Sequence, residues 1–165
     1  RRKHRPFLAV ALLPLISSAT IAAEMQAYFD TSALVKRYIT EDGTAVVCAC
    51  WDVADVAVSC WLLYPEMIAT FARKRREAVI IAALIDTAEA AFRRDWLTIA
   101  RVACDQDLNR RIDDLHLRHA LRGADSTHLA AAIKYRDLCG EPLTFVCADV
   151  QLRQAALAEG FTLVP

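Results

Sequence analysis

The stretch MQAYFDTSALVKRY, Met25–Tyr38, decides the fold. A short apolar run, "AYF", reads as a buried strand and ends in Asp30. Thr31 and Ser32 follow, and "TSALVKRYI" reads as a helix capped by one of these hydroxyls. A carboxylate thus stands where a strand hands over to a helix.

The same alternation runs along the chain. "TAVVCACWDVAD" has helical spacing and "VAVS" reads as a second strand. "WLLYPEMIATFARKRREA" predicts a helix, with Pro65 tolerated in its first turn. "VIIAALIDTAEAAFRRDW" predicts an amphipathic helix with Ile81, Leu84, Ile85 and Ala88 on one face. "LTIARV" is a strand, and "DQDLNRRIDDLHLRHAL" and "ADSTHLAAAIKYRDLC" are helices, the second stopped by Gly140. "TFVCAD", "VQLRQAALAEG" and "FTLV" close the series as strand, helix and strand. Strands alternating with helices predict an α/β fold of three layers, a mostly parallel central sheet flanked by helices.

Composition narrows the function. At 165 residues the length suits one domain, and few Gly and Pro exclude a disordered or fibrous chain. Basic and acidic residues balance at 20 each, but unevenly. Arg1, Arg2, Lys3 and Arg5 fall in residues 1–24 with one acid, Glu24, leaving 16 basic and 19 acidic side chains in residues 25–165. A protein that coats nucleic acid is normally basic, so any RNA or DNA contact here is local. The six cysteines sit mostly among apolar residues, and C-x-C at Cys48 and Cys50 is not a zinc spacing. They read as reduced core residues, which fits a cytoplasmic location.

Residues 1–24 have a basic start, an apolar run from Phe7 to Ile16 and small residues after it. That is the pattern of a secretory signal, with Thr20 and Ala22 as its cleavage motif, in a run short of the roughly 20 residues a membrane span needs. The favoured reading is an upstream extension ahead of a functional start at Met25. Fold reasoning therefore uses residues 25–165.

In open α/β sheets, ligands bind outside the carboxyl ends of the strands. Asp30 closes the first strand and Asp149 closes "TFVCAD". Glu66 lies in the first turn after the second strand, and Asp125 opens the "ADSTHLAAA" helix. Singly, Asp30 or Asp149 reads as a helix cap, Asp125 as a dipole partner and Glu66 as a solvated residue. Together, four acids embedded in apolar sequence at strand exits point to one site. Two like charges roughly 4 Å apart cost about 4 kcal/mol at an effective dielectric of about 20, so such acids cluster around cations or shared protons. Oxygen-only ligands select Mg²⁺ or Mn²⁺, and such ions suit attack of water on a phosphodiester.

With "YFDTSALVKRY", "VSCWLLYPEMIATFARKRRE", "LRGADSTHLAAA" and "FVCADVQLRQAA" in this order, the sequence resembles the PIN-domain ribonucleases, and most closely the VapC-type toxins of toxin–antitoxin pairs. The resemblance spans Met25 to Pro165. It implies that Asp30, Glu66, Asp125 and Asp149 hold Mg²⁺ or Mn²⁺, with Thr31 or Ser32 as a supporting hydroxyl. It also implies an RNA substrate, a small antitoxin partner and a homodimer. Pro65 and the segment before Met25 depart from the family pattern.

Other readings compete. A non-catalytic PIN-like binding module would share the fold, and a DNA nuclease or phosphatase would use the same acids. A dehalogenase-type phosphatase needs a second Asp where Ser32 stands. Neither a phosphate-binding G-x-x-x-x-G-K-[ST] loop nor a G-x-S-x-G elbow is present. His128, three residues after Asp125, reads as structural, although its spacing allows it to face the site. The "RKRR" run at Arg73–Arg76 reads as a solvated helix face, and Lys36 and Arg37 are the better placed candidates for phosphate contact. Trp51, Trp61 and Trp96 read first as core residues.

Overall fold

A computed structural model describes residues 24–77 and 80–164. Among the described residues the sheet has five strands: β1 Gln26–Phe29, β2 Val56–Cys60, β3 Ala100–Val102, β4 Leu143–Val146 and β5 Thr162–Val164. Their order is β3-β2-β1-β4-β5, and every pairing is parallel. The helices are α1 Thr31–Leu34, α2 Thr44–Val53, α3 Leu63–Glu77, α4 Ala82–Trp96, α5 Gln106–Arg118, α6 Gly123–Cys139 and α7 Val150–Ala158. A single 3-10 turn, Val35–Arg37, extends α1.

The strands are apolar on both faces because helices cover both. Side chains alternate across a strand. Ala27, Phe29 and Ala57 therefore join α1–α4 in one core, with Leu34, Met67, Phe71, Ile85 and Phe92. Tyr28, Val58 and Cys60 join α5–α7 in the other, with Leu115, Leu129, Phe145 and Leu152. The expected three-layer architecture is present, with a sheet that is wholly rather than mostly parallel.

The predicted elements recur with two corrections. "TSALVKRYI" tightens from α-helix to the 3-10 turn after Leu34. The apolar face predicted for α4 is rotated: Ile85 and Ala88 are buried with Phe92 and Trp96, whereas Ile81 and Leu84 are 73% and 59% exposed. Ile81 stands outside the helix as its N-cap residue, and the two large aromatic side chains set the phase. Pro65 falls in the first turn of α3, where its missing N–H costs no helical hydrogen bond. Gly140 and Gly160 end α6 and α7 with φ of 69° and 81°, the left-handed conformation that glycine adopts without strain. The signal-like run that precedes Met25 lies, apart from Glu24, outside the described residues.

β1 lies at the topological switch. The helix that follows it packs on one face, while α7, which follows its neighbour β4, packs on the other. Their loops part at the carboxyl ends of the two strands and leave a crevice there. The amide of Asp30 still donates to Val146 O at 3.0 Å, so the β1–β4 ladder runs to the crevice edge.

Candidate active site

The first candidate residue stands at the exit of β1. Asp30 is 4% exposed and caps α1. Its Oδ2 accepts from the Ser32 amide at 3.0 Å and the Ser32 hydroxyl at 2.5 Å. The capping role and the site role are thus split between two oxygens: Oδ2 is occupied by the turn, and Oδ1 faces His128 Nε2 at 3.6 Å. Cys147 Sγ also approaches Oδ2 at 3.6 Å, and burial together with the Asp30 charge pushes that thiol up to about 12, so it stays protonated.

Ser32 ties two strand exits together. Its hydroxyl oxygen accepts from the amides of Ala148 at 3.0 Å and Asp149 at 3.3 Å while donating to Asp30. Asp149 then caps α7, its Oδ1 accepting from the Leu152 amide at 2.8 Å. Position 32, which excluded a phosphatase aspartate in the sequence, thus holds the hydroxyl that joins the turns carrying Asp30 and Asp149.

Glu66 enters from the first turn of α3. Its Oε2 accepts from Thr31 Oγ1 at 2.5 Å and from His128 Nε2 at 2.9 Å. Partial burial works against its charge, but the hydrogen bonds from His128 and Thr31 outweigh it and hold the carboxyl below its usual range. Thr31 and Ser32 are therefore both engaged, one on Glu66 and the other on Asp30.

Asp125 sits in the first turn of α6 and makes no ion pair among the described residues. Desolvation, then the charges of Asp149 and Asp30, push its carboxyl above the usual range, and Arg122 offsets only part of this. Asp30, Asp125 and Asp149 are therefore electrostatic neighbours. Among the described residues no three carboxylate, imidazole or thiol groups are already gathered into a metal-holding cluster. Glu66 is linked to this group through His128, whose Nε2 faces both Glu66 and Asp30.

At 34% identity over 139 residues, the sequence is similar to two curated proteins of Mycobacterium tuberculosis, Ribonuclease VapC45 (strain CDC 1551 / Oshkosh) and Ribonuclease VapC49 (strain H37Rv). In each case the match covers 84% of this chain and 94% of the relative. The chain belongs to the VapC ribonuclease family. The fold is similar to that in the crystal structure of FitAcB from Neisseria gonorrhoeae, with a TM-score of 0.60 at 12% identity over 85% of this chain and 97% of that one. No protein-family model matches the sequence.

In this VapC-family site, the residue that sequence reasoning undervalued is His128. It is 1% exposed and central. Nε2 meets Glu66, Asp30 and, at 3.4 Å, Thr31 Oγ1, while Nδ1 stands 3.0 Å from Tyr28 OH and 3.6 Å from Cys60 Sγ. Burial opposes its charge, but Asp30, Cys60 and Glu66 prevail and hold the imidazole well above its usual value. It lies one turn after Asp125 on α6, a spacing that signalled its side of the helix but not its contacts.

Lys36 and Arg37 do not reach toward the crevice as phosphate ligands. Lys36 donates to the Asp42 carbonyl at 2.6 Å. Arg37 lies 4.4 Å over the Trp51 ring and donates to Asp95 at 3.1 Å, so its guanidinium serves packing. The Arg73–Arg76 run is largely paired: Arg73 with Glu77, Lys74 with Glu41, and Arg75 with Asp86 and Glu89. Among the described residues no helix is long and apolar enough to cross a membrane.

Proposed function

We propose that the protein is a divalent-metal-dependent endoribonuclease acting as the toxin of a toxin–antitoxin pair, restrained by a small cognate antitoxin and working as a homodimer in the cytoplasm. The observation that carries this reading is that Ser32 joins the turns of Asp30 and Asp149 at the strand exits, with both acids bearing electrostatically on Asp125. Their donor set is all oxygen, which fits Mg²⁺ or Mn²⁺. Asp30, Asp125 and Asp149, with Glu66, would hold the ion.

When bound, the cation supplies an activated water and neutralises charge on the phosphate under attack. The chain's own groups prepare the place. Ser32 fixes the orientation of Asp30 and the loop of Asp149. Thr31 and His128 bond to one Glu66 oxygen and hold that carboxyl below its usual range. The buried His128 imidazole, held well above its usual value, offsets carboxylate charge at Glu66 and Asp30.

The test is induced expression of residues 25–165, with new RNA ends mapped in the cell and cleavage assayed with purified protein in Mg²⁺ or Mn²⁺. Wild type should cleave, EDTA should stop it, and Asp30→Asn should lose cleavage and growth inhibition while keeping its circular dichroism. Undiminished metal-dependent cleavage by Asp30→Asn would overturn the assignment. Co-expression of a small reading frame adjacent to the gene should restore growth if the antitoxin arm holds.

A further inference from the structure

The three tryptophans have divergent fates. Trp51 and Trp96 are 4% and 8% exposed, while Trp61 keeps 53% of its surface in solvent. Isolated exposed apolar residues are ordinary and need no explanation. Trp61 differs in its position and in how it is held.

Trp61 is the first residue after β2, whose last residue, Cys60, contacts His128. The next residue, Leu62, accepts the Glu66 amide at 3.2 Å, so the loop that presents the indole also starts the turn that presents the carboxylate. The indole is packed against two neighbours. Its ring stands 5.6 Å from Trp96 at 72°, and the Arg101 guanidinium lies 5.5 Å from Trp61 and 5.1 Å from Trp96. Arg101 is itself fixed by donating to the Trp96 carbonyl at 2.6 Å, and it forms no ion pair among the described residues. Tyr64 extends the aromatic surface 5.4 Å from Trp96, with Arg93 over its ring at 5.6 Å.

We propose that Trp61, backed by Arg101, is a stacking platform for an unpaired base of the RNA held at the acids of the strand exits. The proposal rests on the ribonuclease reading above. A rigid indole face beside an unneutralised guanidinium matches a base with its phosphate, since bases stack on aromatic and guanidinium planes and phosphate seeks the cation. An aliphatic antitoxin helix would want an apolar groove, whereas this surface is aromatic and cationic. The platform also supplies the local positive contact that the acidic balance of residues 25–165 demands. It places RNA affinity on Trp61 and bond breaking on the acids.

The experiment measures fluorescence anisotropy of a 5′-fluorescein-labelled single-stranded RNA of mixed sequence. Asp30→Asn serves as the non-cleaving background, with Mn²⁺ present. Adding Trp61→Ala should weaken binding on the order of tenfold to a hundredfold, Trp61→Phe should retain most of it, and Arg101→Gln should reduce both affinity and its salt dependence. Each variant is checked by thermal melting, and the Phe variant keeps the test decisive if Ala unfolds the loop. Equal RNA affinity with and without the Trp61 side chain overturns the platform while wild-type cleavage leaves the ribonuclease reading standing. Absent cleavage with Trp61-dependent RNA binding overturns the ribonuclease reading and keeps the platform. Unchanged RNA binding with lost inhibition by a co-expressed antitoxin reassigns the surface to a protein partner and also overturns the platform.

Discussion

Ser32 Oγ lies 2.5 Å from Asp30 Oδ2 and at the same time accepts the amides of Ala148 and Asp149. One hydroxyl thus joins the exits of the central strand and its neighbour. Ser32→Ala removes the acceptor for both amides, and leaving such groups unpaired costs about 1–3 kcal/mol. It also frees Asp30 and Asp149 to drift, and misplacement of that kind lowers a rate on the order of a hundredfold. Urea unfolding and RNA cleavage should both register the loss. Ser32→Thr, which keeps the hydroxyl, should recover most of it, and wild-type cleavage by the alanine variant would remove Ser32 from the positioning role.

Asp125 should show opposite signs with and without metal. In the metal-free protein its charge is repelled by Asp149 and Asp30. Asp125→Asn should therefore raise stability near neutral pH, by on the order of 0.5–1 kcal/mol after solvent screening. Adding Mn²⁺ at a hundred times its Kd should stabilise wild type by about 2.7 kcal/mol and the variant by much less. Thermal melts with and without Mn²⁺ should cross, and parallel shifts in the two proteins would take Asp125 out of the metal site.

Arg37 separates packing from catalysis. Its guanidinium is stacked on Trp51 and bonded to Asp95, with Asp52 4.0 Å away. Arg37→Ala should cost about 1–2 kcal/mol in stability through the lost cation–π contact and charge-assisted hydrogen bond. RNA affinity should be unaltered. A fall in affinity without a fall in stability would restore Arg37 to the phosphate-contact role.

Acid stability should depend on Asp105. It caps α5 by accepting from the Leu108 amide at 3.0 Å and pairs with the buried Lys134 at 2.5 Å. The Lys134 hydrogen bond is the main influence that holds its carboxyl below the usual range. A depressed carboxyl contributes stability that is complete above its ordinary pKa of about 3.9 and disappears as pH falls through the folded-state value. Urea midpoints measured downward from pH 5 should therefore fall more steeply for wild type than for Asp105→Asn. Identical slopes would show that the pair carries no proton linkage.

Element positions and the four acids were legible because both follow from local chemistry. Apolar runs mark strands buried on two faces, and an acid after such a run marks a strand exit. The roles of His128 and Arg37 were not legible. Each depends on partners from distant parts of the chain: Glu66 and Tyr28 for His128, Asp95 and Trp51 for Arg37. A histidine among alanines looks like a core residue, and an arginine about two helical turns past Asp30 looks available. In α4, apolar Ile81 and Leu84 suggested a face that Phe92 and Trp96 then dictated by their size.

The strand order has a consequence for synthesis. β1 is made first among the strands but sits between β2 and β4, and its partner β4 is made only after β2, β3 and the six helices α1–α6. The acids likewise emerge in the order Asp30, Glu66, Asp125, Asp149. A growing or prematurely ended chain that stops before the β4–α7 turn lacks Asp149 and the backbone amides that Ser32 binds. Such a fragment has the first acid without its anchor. The link between the two strand exits therefore closes only when the last part of the chain has been made.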